Sequence, residues 1–121
     1  MKHGRKISGG KYKKSRKKKL YEKAGNVRTV VLGKLKRKQM RVRGGKLKAV
    51  LFSTDEANVI DKKTKKCQKS KIKNVIETPS NKFLARQNVL VKGAVIETEL
   101  GKAKITNRPS QEGSVEAVLS E

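Results

Sequence analysis

A mainly β fold is predicted: a small twisted antiparallel β-barrel with one short helical turn, fronted by an extended basic N-terminal arm. Three observations predict it. From Met40 onward, apolar residues recur at every second position in short runs, the period of a strand with one buried face. Gly, Asn and Pro interrupt those runs at hairpin spacing. Residues 2–48 carry twenty Lys or Arg and a single acid, Glu22, for a net charge of +19, and the rest of the chain adds only +4. A segment that charged has too little apolar surface to fold on itself. Residues 1–38 are therefore expected to be an arm that becomes ordered only on a polyanion, with residues 39–121 forming the barrel domain.

Residues 1–19 read as an extended segment in which Ser8-Gly9-Gly10 supplies a turn that approaches phosphate closely. Lys13-Lys14-Ser15-Arg16-Lys17-Lys18-Lys19 is nearly continuous charge, the pattern of an interaction tail. Taken alone it equally fits a localisation signal or a solubilising tail. The bias continues well past it, which favours phosphate binding. Leu20-Tyr21-Glu22-Lys23-Ala24-Gly25 is less charged, and Gly25-Asn26 ends it. Thr29-Val30-Val31-Leu32 reads either as a strand or as an adhesive contact. Lys34, Lys36, Arg37 and Lys38 then resume the charge.

Met40 and Val42 alternate with Gln39, Arg41 and Arg43, giving one apolar and one basic face. A two-residue turn at Gly44-Gly45 leads into Leu47, Ala49 and Leu51, which alternate with Lys48, Val50 and Phe52. From Val50 both faces are apolar, as in a strand buried on both sides. Arg41, Arg43, Lys46 and Lys48 are thus expected on one rigid face, where contact with phosphate costs less entropy than from a mobile tail. A merely solvated face is the plainer alternative.

Residues 57–60 are a further strand and residues 61–66 a turn. Residues 71–78 alternate again, with Ile72 and Ile76 four apart and Val75 on the other face. Thr78-Pro79-Ser80-Asn81 predicts a helix with Thr78 as cap and Pro79 in the first position, ending near Gln87. Val89-Leu90-Val91 returns to strand, and Gly93 breaks it. Residues 94–99 and 102–106 form a hairpin around Leu100-Gly101, with Glu99 and Lys102 paired across the turn. Residues 107–113 are a loop containing Pro109, and in the last strand Val115, Ala117 and Leu119 share a face. Curling these strands into a barrel hides their unpaired edges.

Two Phe, two Tyr and no Trp leave no stacking platform for reading a single-stranded tract, so backbone and shape contacts are expected instead. The longest apolar run, Ala49-Val50-Leu51-Phe52, is far short of a membrane span, and the N-terminus has no secretory apolar core. An intracellular protein without membrane partners is expected. Cys67 is the sole cysteine and excludes an intrachain disulfide. Its plain reading is a lone thiol near a hairpin. His3, the one histidine, sits in the basic terminus without a catalytic partner. Glu97 and Glu99 share a strand face beside Lys102 and Lys104, and a salt-bridged surface explains them better than acid–base chemistry. Asp55, Glu56 and Asp61 lack calcium-loop spacing, and no Cys/His set suits zinc. Gly44-Gly45-Lys46 lacks the leading glycine and the Lys-Ser/Thr ending of a phosphate loop. No catalytic residue, cofactor, metal or small-molecule substrate is expected.

Arg5-Lys6-Ile7-Ser8-Gly9-Gly10, the basic run after it, and Glu22 through Gly25 resemble the N-terminal signature of one ribosomal family. That family is the archaeal and eukaryotic small-subunit ribosomal protein eight. Arg41-Val42-Arg43-Gly44-Gly45-Lys46 resembles its internal Arg-x-Arg-Gly-Gly element. Ala57-Asn58-Val59-Ile60-Asp61, Gly101-Lys102-Ala103 and Asn107-Arg108-Pro109 follow in the family's order. The chain departs from the pattern in two places: an extra residue between Glu22 and Gly25, and fewer charges across residues 80–86. Its compact length resembles archaeal members.

The resemblance implies a small β-barrel with a basic extension buried in small-subunit rRNA, and a structural role without catalysis. The expected partners are small-subunit rRNA and neighbouring small-subunit ribosomal proteins, in cytoplasmic ribosomes. The expected rRNA-binding residues are Lys2, Arg5, Lys6, Lys11, Lys13, Lys14, Arg16, Lys17, Lys18, Lys19, Arg28, Lys36, Arg37, Lys38, Arg41, Arg43, Lys46 and Lys48. Residues 74–121 hold six bases and six acids, which suits a protein-facing surface. A free RNA chaperone or compacting protein is the alternative that the same charge supports.

Overall fold

The computed structural model of the chain describes residues 4–13 and 15–120. Strands β1 (Val31–Leu32), β2 (Lys36–Arg41) and β3 (Leu47–Thr54) form a small sheet in the order β1-β3-β2. Strands β4 (Glu56–Ile60), β5 (Cys67–Glu77), β6 (Val95–Thr98), β7 (Gly101–Ile105) and β8 (Glu116–Leu119) close a barrel in sequence order. Two short helices, α1 (Lys82–Arg86) and α2 (Pro109–Glu112), sit in its connections. The expected mainly β barrel is present. Its neighbours are antiparallel except at the closure, where β4 and β8 run parallel with Val59 opposite Ala117.

The core follows from a narrow interior. Ala57, Ala94, Ala103 and Ala117 are 2 % exposed or less, and they share the centre with Val59, Ile72, Val75, Ile96, Ile105 and Val115. Small residues between branched ones fill a five-stranded barrel that has no room for large side chains from every strand. Leu51 of β3, Val30 and Leu90 complete the same cluster from outside the barrel, so sheet and barrel share one core.

Several expected elements differ in detail. Val30-Val31-Leu32 turns out to be both a strand and a contact. Val31 and Leu32 pair in parallel with Ser53 and Thr54, and Val30 is buried with its carbonyl accepting from Leu90 N–H at 2.7 Å. The glycine turn is longer than two residues. Its ladder ends at Arg41↔Leu47, and residues 42–46 form a one-turn 3-10 bend with Gly44 and Gly45 at φ 76° and 77°. Those left-handed angles are the reason for the two glycines. Strand β5 begins at Cys67, four residues earlier than expected, and its inward face runs Ser70, Ile72, Val75. Irregularities in pairing after Ile72 and after Val75 insert an extra residue and shift the phase, so Val75 joins Ile72 inside while Ile76 is exposed.

Asn81, not Thr78, caps α1, its Oδ1 accepting from Phe83 N–H at 2.9 Å. Thr78 is instead buried, and its carbonyl accepts from Asn81 N–H at 3.1 Å. Residues 89–91 form one bridge, Val31↔Val89, rather than a strand. The β6–β7 turn is Glu99-Leu100, because Thr98 pairs with Gly101, and the ladder sets Lys102 opposite Glu97 rather than Glu99.

The expected loop at residues 107–113 contains α2, with Pro109 in the first turn and Gly113 as a left-handed cap at φ 78°. Helix α2 lies against β3, and a Cβ added to Gly113 would stand 3.1 Å from Ala49 Cβ and 3.2 Å from Ala49 O. Gly113→Ala therefore combines backbone strain with a backbone clash, and should cost about 2–4 kcal/mol. Urea denaturation should show a lowered midpoint with an unchanged slope. A loss below about 0.5 kcal/mol, within surface-substitution scatter, would mean that α2 is free of β3.

Candidate nucleic-acid interface

Every described residue between 4 and 29 is exposed, and Val30 is the first buried one. The arm thus presents its charge away from the core. Its two local folds are built from the expected residues. Gly9, at φ 77°, turns the chain so that Arg5 bridges Lys11 and Arg5 Nη1 donates to Gly9 O at 3.0 Å. Lys6 Nζ stands 5.9 Å from the centroid of the Tyr12 ring, and Lys19 Nζ 5.8 Å from that of Tyr21.

At Leu20–Glu22 a 3-10 turn places the Glu22 carboxylate on both the Arg16 guanidinium and the Lys19 backbone N–H, the latter at 2.9 Å. Arg16–Glu22 is the one ion pair found among the described residues. Those two contacts, the guanidinium first, hold the Glu22 carboxyl below the usual carboxylate range. A depressed value means that the turn is supported above the ordinary Glu pKa and loses that support as pH falls through the depressed one. The amide signals of Lys19 and Lys23 should therefore titrate together in acid by NMR. In Glu22→Gln that titration should vanish, and if it persisted another group would be responsible.

Among the described residues, no ion pair holds the other arm cations. Arg5, Lys6, Lys11, Lys13, Arg16, Lys17, Lys18, Lys19 and Arg28 are all described and exposed, whereas Lys2 and Lys14 lie outside the described residues, as does His3. Lys36, Arg37 and Lys38 open β2, the outer strand of the small sheet, so these cations are mounted on a ladder rather than in the extended arm.

The four cations around the glycine turn do not share one face. Residues opposite each other in an antiparallel pair point to the same side, and the register sets Arg41 opposite Leu47 but Met40 opposite Lys48. Arg41 and Lys48 therefore point to opposite sides. Arg41 folds over the turn, its Nη2 3.8 Å from where a Gly45 Cβ would be, alongside exposed Arg43 and Lys46. Lys48 is half-buried and donates to Gln111 Oε1 of α2. The expected apolar backing is also incomplete, since Leu47 is 68 % exposed.

Lys69, Lys71, Lys73, Lys92 and Arg108 are not among the cations expected from the sequence, and the structure sets them beside Arg37 and Arg28, which are. Lys69, Lys71 and Lys73 stand exposed on β5 at every second residue, and Lys69 lines a groove of about 220 Å³ together with Arg37, Glu56 and Asn58. That groove brings the β2 cations next to those of the barrel. The alternation of lysines with inward Ser70 and Ile72 was the available signal. At the root of the arm, Arg28 meets Lys92 and Arg108 around a cleft of about 310 Å³. No sequence pattern links those three. Among the described residues no group of His, Cys, Asp or Glu is arranged to hold a metal ion, and no helix is long and apolar enough to cross a membrane. Cys67 is exposed at the first position of β5.

Comparison of the sequence with known proteins finds one family. The family described as Ribosomal protein S8e matches residues 1–120. The chain belongs to the ribosomal protein S8e family. The resemblance read from the arm, the Arg-x-Arg-Gly-Gly element and the later motifs is thereby confirmed. Among similar proteins is the small ribosomal subunit protein eS8 of Methanococcus maripaludis, 52 % identical over 91 residues, covering 75 % of this chain and 71 % of that protein. The protein of the same name from Methanococcus aeolicus is 46 % identical over 118 residues, covering 95 % and 91 % of the two chains. That from Ignicoccus hospitalis is 46 % identical over 119 residues, covering 97 % and 92 %. These relatives are archaeal, in keeping with the compact S8e length.

Proposed function

We propose that the chain is a structural component of the small ribosomal subunit that binds rRNA through the phosphate backbone and through shape. The observation that carries this reading is the arm: its described residues from 4 to 29 are all exposed, with a single carboxylate and one ion pair among them. Free cations at this density are repelled from one another and are stabilised by displacing counterions from nucleic acid. The arm threads between rRNA helices and takes a fixed course there. Arg41, Arg43 and Lys46 at the glycine turn, with Arg37 and Lys69 across the groove, carry the same contact onto the folded part. The chain acts in cytoplasmic ribosomes, beside other small-subunit proteins, and performs no catalysis. Membership in the S8e family and the names of its relatives support this reading.

Density-gradient fractionation of a cell extract tests it. The chain is expected in the small-subunit fraction at moderate salt and released from it at high salt. Recovery near the top of the gradient at all salt concentrations would overturn the reading in favour of a free RNA chaperone.

A further inference from the structure

At the root of the arm, donors from three separate segments surround one cleft, and no carboxylate lines it. The cleft, of about 310 Å³, is lined by Arg28 of the arm, Lys92 before β6, and Arg108, Ser110 and Gln111 at α2. Backbone pairing brings the first two together. Val31 bridges Val89 in antiparallel sense, and Val30 O accepts from Leu90 N–H at 2.7 Å. Counting outward in that register sets Arg28 across from Lys92, and residues opposite each other in an antiparallel pair point to one side. Arg108 joins them because α2 is held on β3, where Gly113 packs against Ala49 and Lys48 donates to Gln111 Oε1.

The polar groups of the lining are donors. Guanidinium and ammonium groups have no acceptor atom. Lys48 occupies Gln111 Oε1, so the Gln111 NH₂ is left to donate, and the Ser110 hydroxyl can donate as well. Arg28, Lys92 and Arg108 are exposed, and among the described residues no ion pair engages them. Glu112, the acid nearest in sequence, accepts from the Arg108 backbone N–H at 3.3 Å and does not line the cleft. Like charges gathered without an internal counter-ion attract an anion from outside. Val27, 92 % exposed, adds apolar surface, which suits a phosphate that carries a sugar over a free inorganic ion.

We propose that this cleft seats one backbone phosphate of the rRNA and so extends the RNA surface from the arm onto the charge-balanced half of the chain. Lys92 and Arg108 are two of the six bases in residues 74–121. They are drawn into the RNA contact by the fold, not by their neighbours in sequence. Arg28 forms one wall, so the ligand of the cleft is continuous with the ligand of the arm. A protein segment seated here would have to enter where the arm leaves the barrel for the RNA. Holding a phosphate at this point fixes the direction in which the arm departs. This inference rests on the chain binding small-subunit rRNA.

The test compares the unaltered full-length chain with two double variants by filter binding to small-subunit rRNA across a salt series. Lys92→Ala/Arg108→Ala alters the cleft, and Lys102→Ala/Lys104→Ala removes the same charge from β7, away from it. All four residues are exposed, so the melting temperature should not change. The cleft variant should flatten the slope of log K against log salt by about 0.7–0.9 and weaken binding about five- to eightfold at 0.1 M. The β7 variant should leave the slope as it was. On the unaltered chain, purified rRNA without other proteins should protect Lys92 from an amine-reactive reagent and leave Lys102 reactive. An unchanged slope in the cleft variant, or equal flattening in both, would overturn the proposal. Protection of Lys92 that appears only in whole subunits would give the cleft to a neighbouring protein and overturn it too. Each of these results leaves the arm's own binding standing. An unaltered chain that fails to bind rRNA overturns the functional reading as well.

Discussion

Replacing Lys13, Arg16, Lys17 and Lys18 by Ala is expected to reduce rRNA affinity about a thousandfold at 0.1 M salt, with little loss near 1 M. Each phosphate contact contributes about 0.7–0.9 to the slope of log K against log salt, so four lost contacts flatten it by roughly three units. All four residues are exposed, and only Arg16 has a carboxylate partner, so the melting temperature should not change. Filter binding to small-subunit rRNA across a salt series gives both numbers. An unaltered slope would remove this run from the interface and leave the glycine-turn cations as the main contact.

Leu51→Ala should have the largest effect on stability. Leu51 is 1 % exposed and lies in β3, outside the barrel, yet it belongs to the cluster that fills the barrel. Truncation removes apolar contacts from both layers and leaves a cavity at their junction, at a cost of about 2–5 kcal/mol. For a folded part of this size, each kcal/mol is worth roughly 4–8 °C, so melting should fall by at least about 8 °C. Arg37 pairs opposite Leu51 on β2, so loosening this junction should also weaken RNA binding by the sheet while the arm's salt dependence is kept. A fall of only a few degrees, with the sheet amides still protected from exchange, would show that the sheet is held by α2 and β1 instead.

Much of the fold could be read from local patterns. The strands of residues 47–54, 56–60 and 116–119 follow their period-two apolar residues, and the hairpin around residues 44–45 follows its glycines. Where the reading failed, a longer-range constraint had intervened. Ile76 matched the face of Ile72 by counting, but the irregularities in β5 moved Val75 inward in its place. Thr78-Pro79 looked like a helix cap because capping chemistry was read without knowing that Thr78 would be buried against the core. Lys48 looked like a surface cation, and only the approach of α2 gave it Gln111 as a partner.

The sequence by itself determined that the chain's cationic excess is gathered in residues 2–48, at a net charge of +19, and that alternation after Met40 builds strands. Charge density and side-chain period are properties of neighbouring residues, so no distant contact can alter them. Which cations share a surface was decided only by tertiary structure. Arg28 with Lys92 and Arg108, Arg37 with Lys69, and Arg41 apart from Lys48 all depend on strand register and barrel closure, which join residues far apart in the chain.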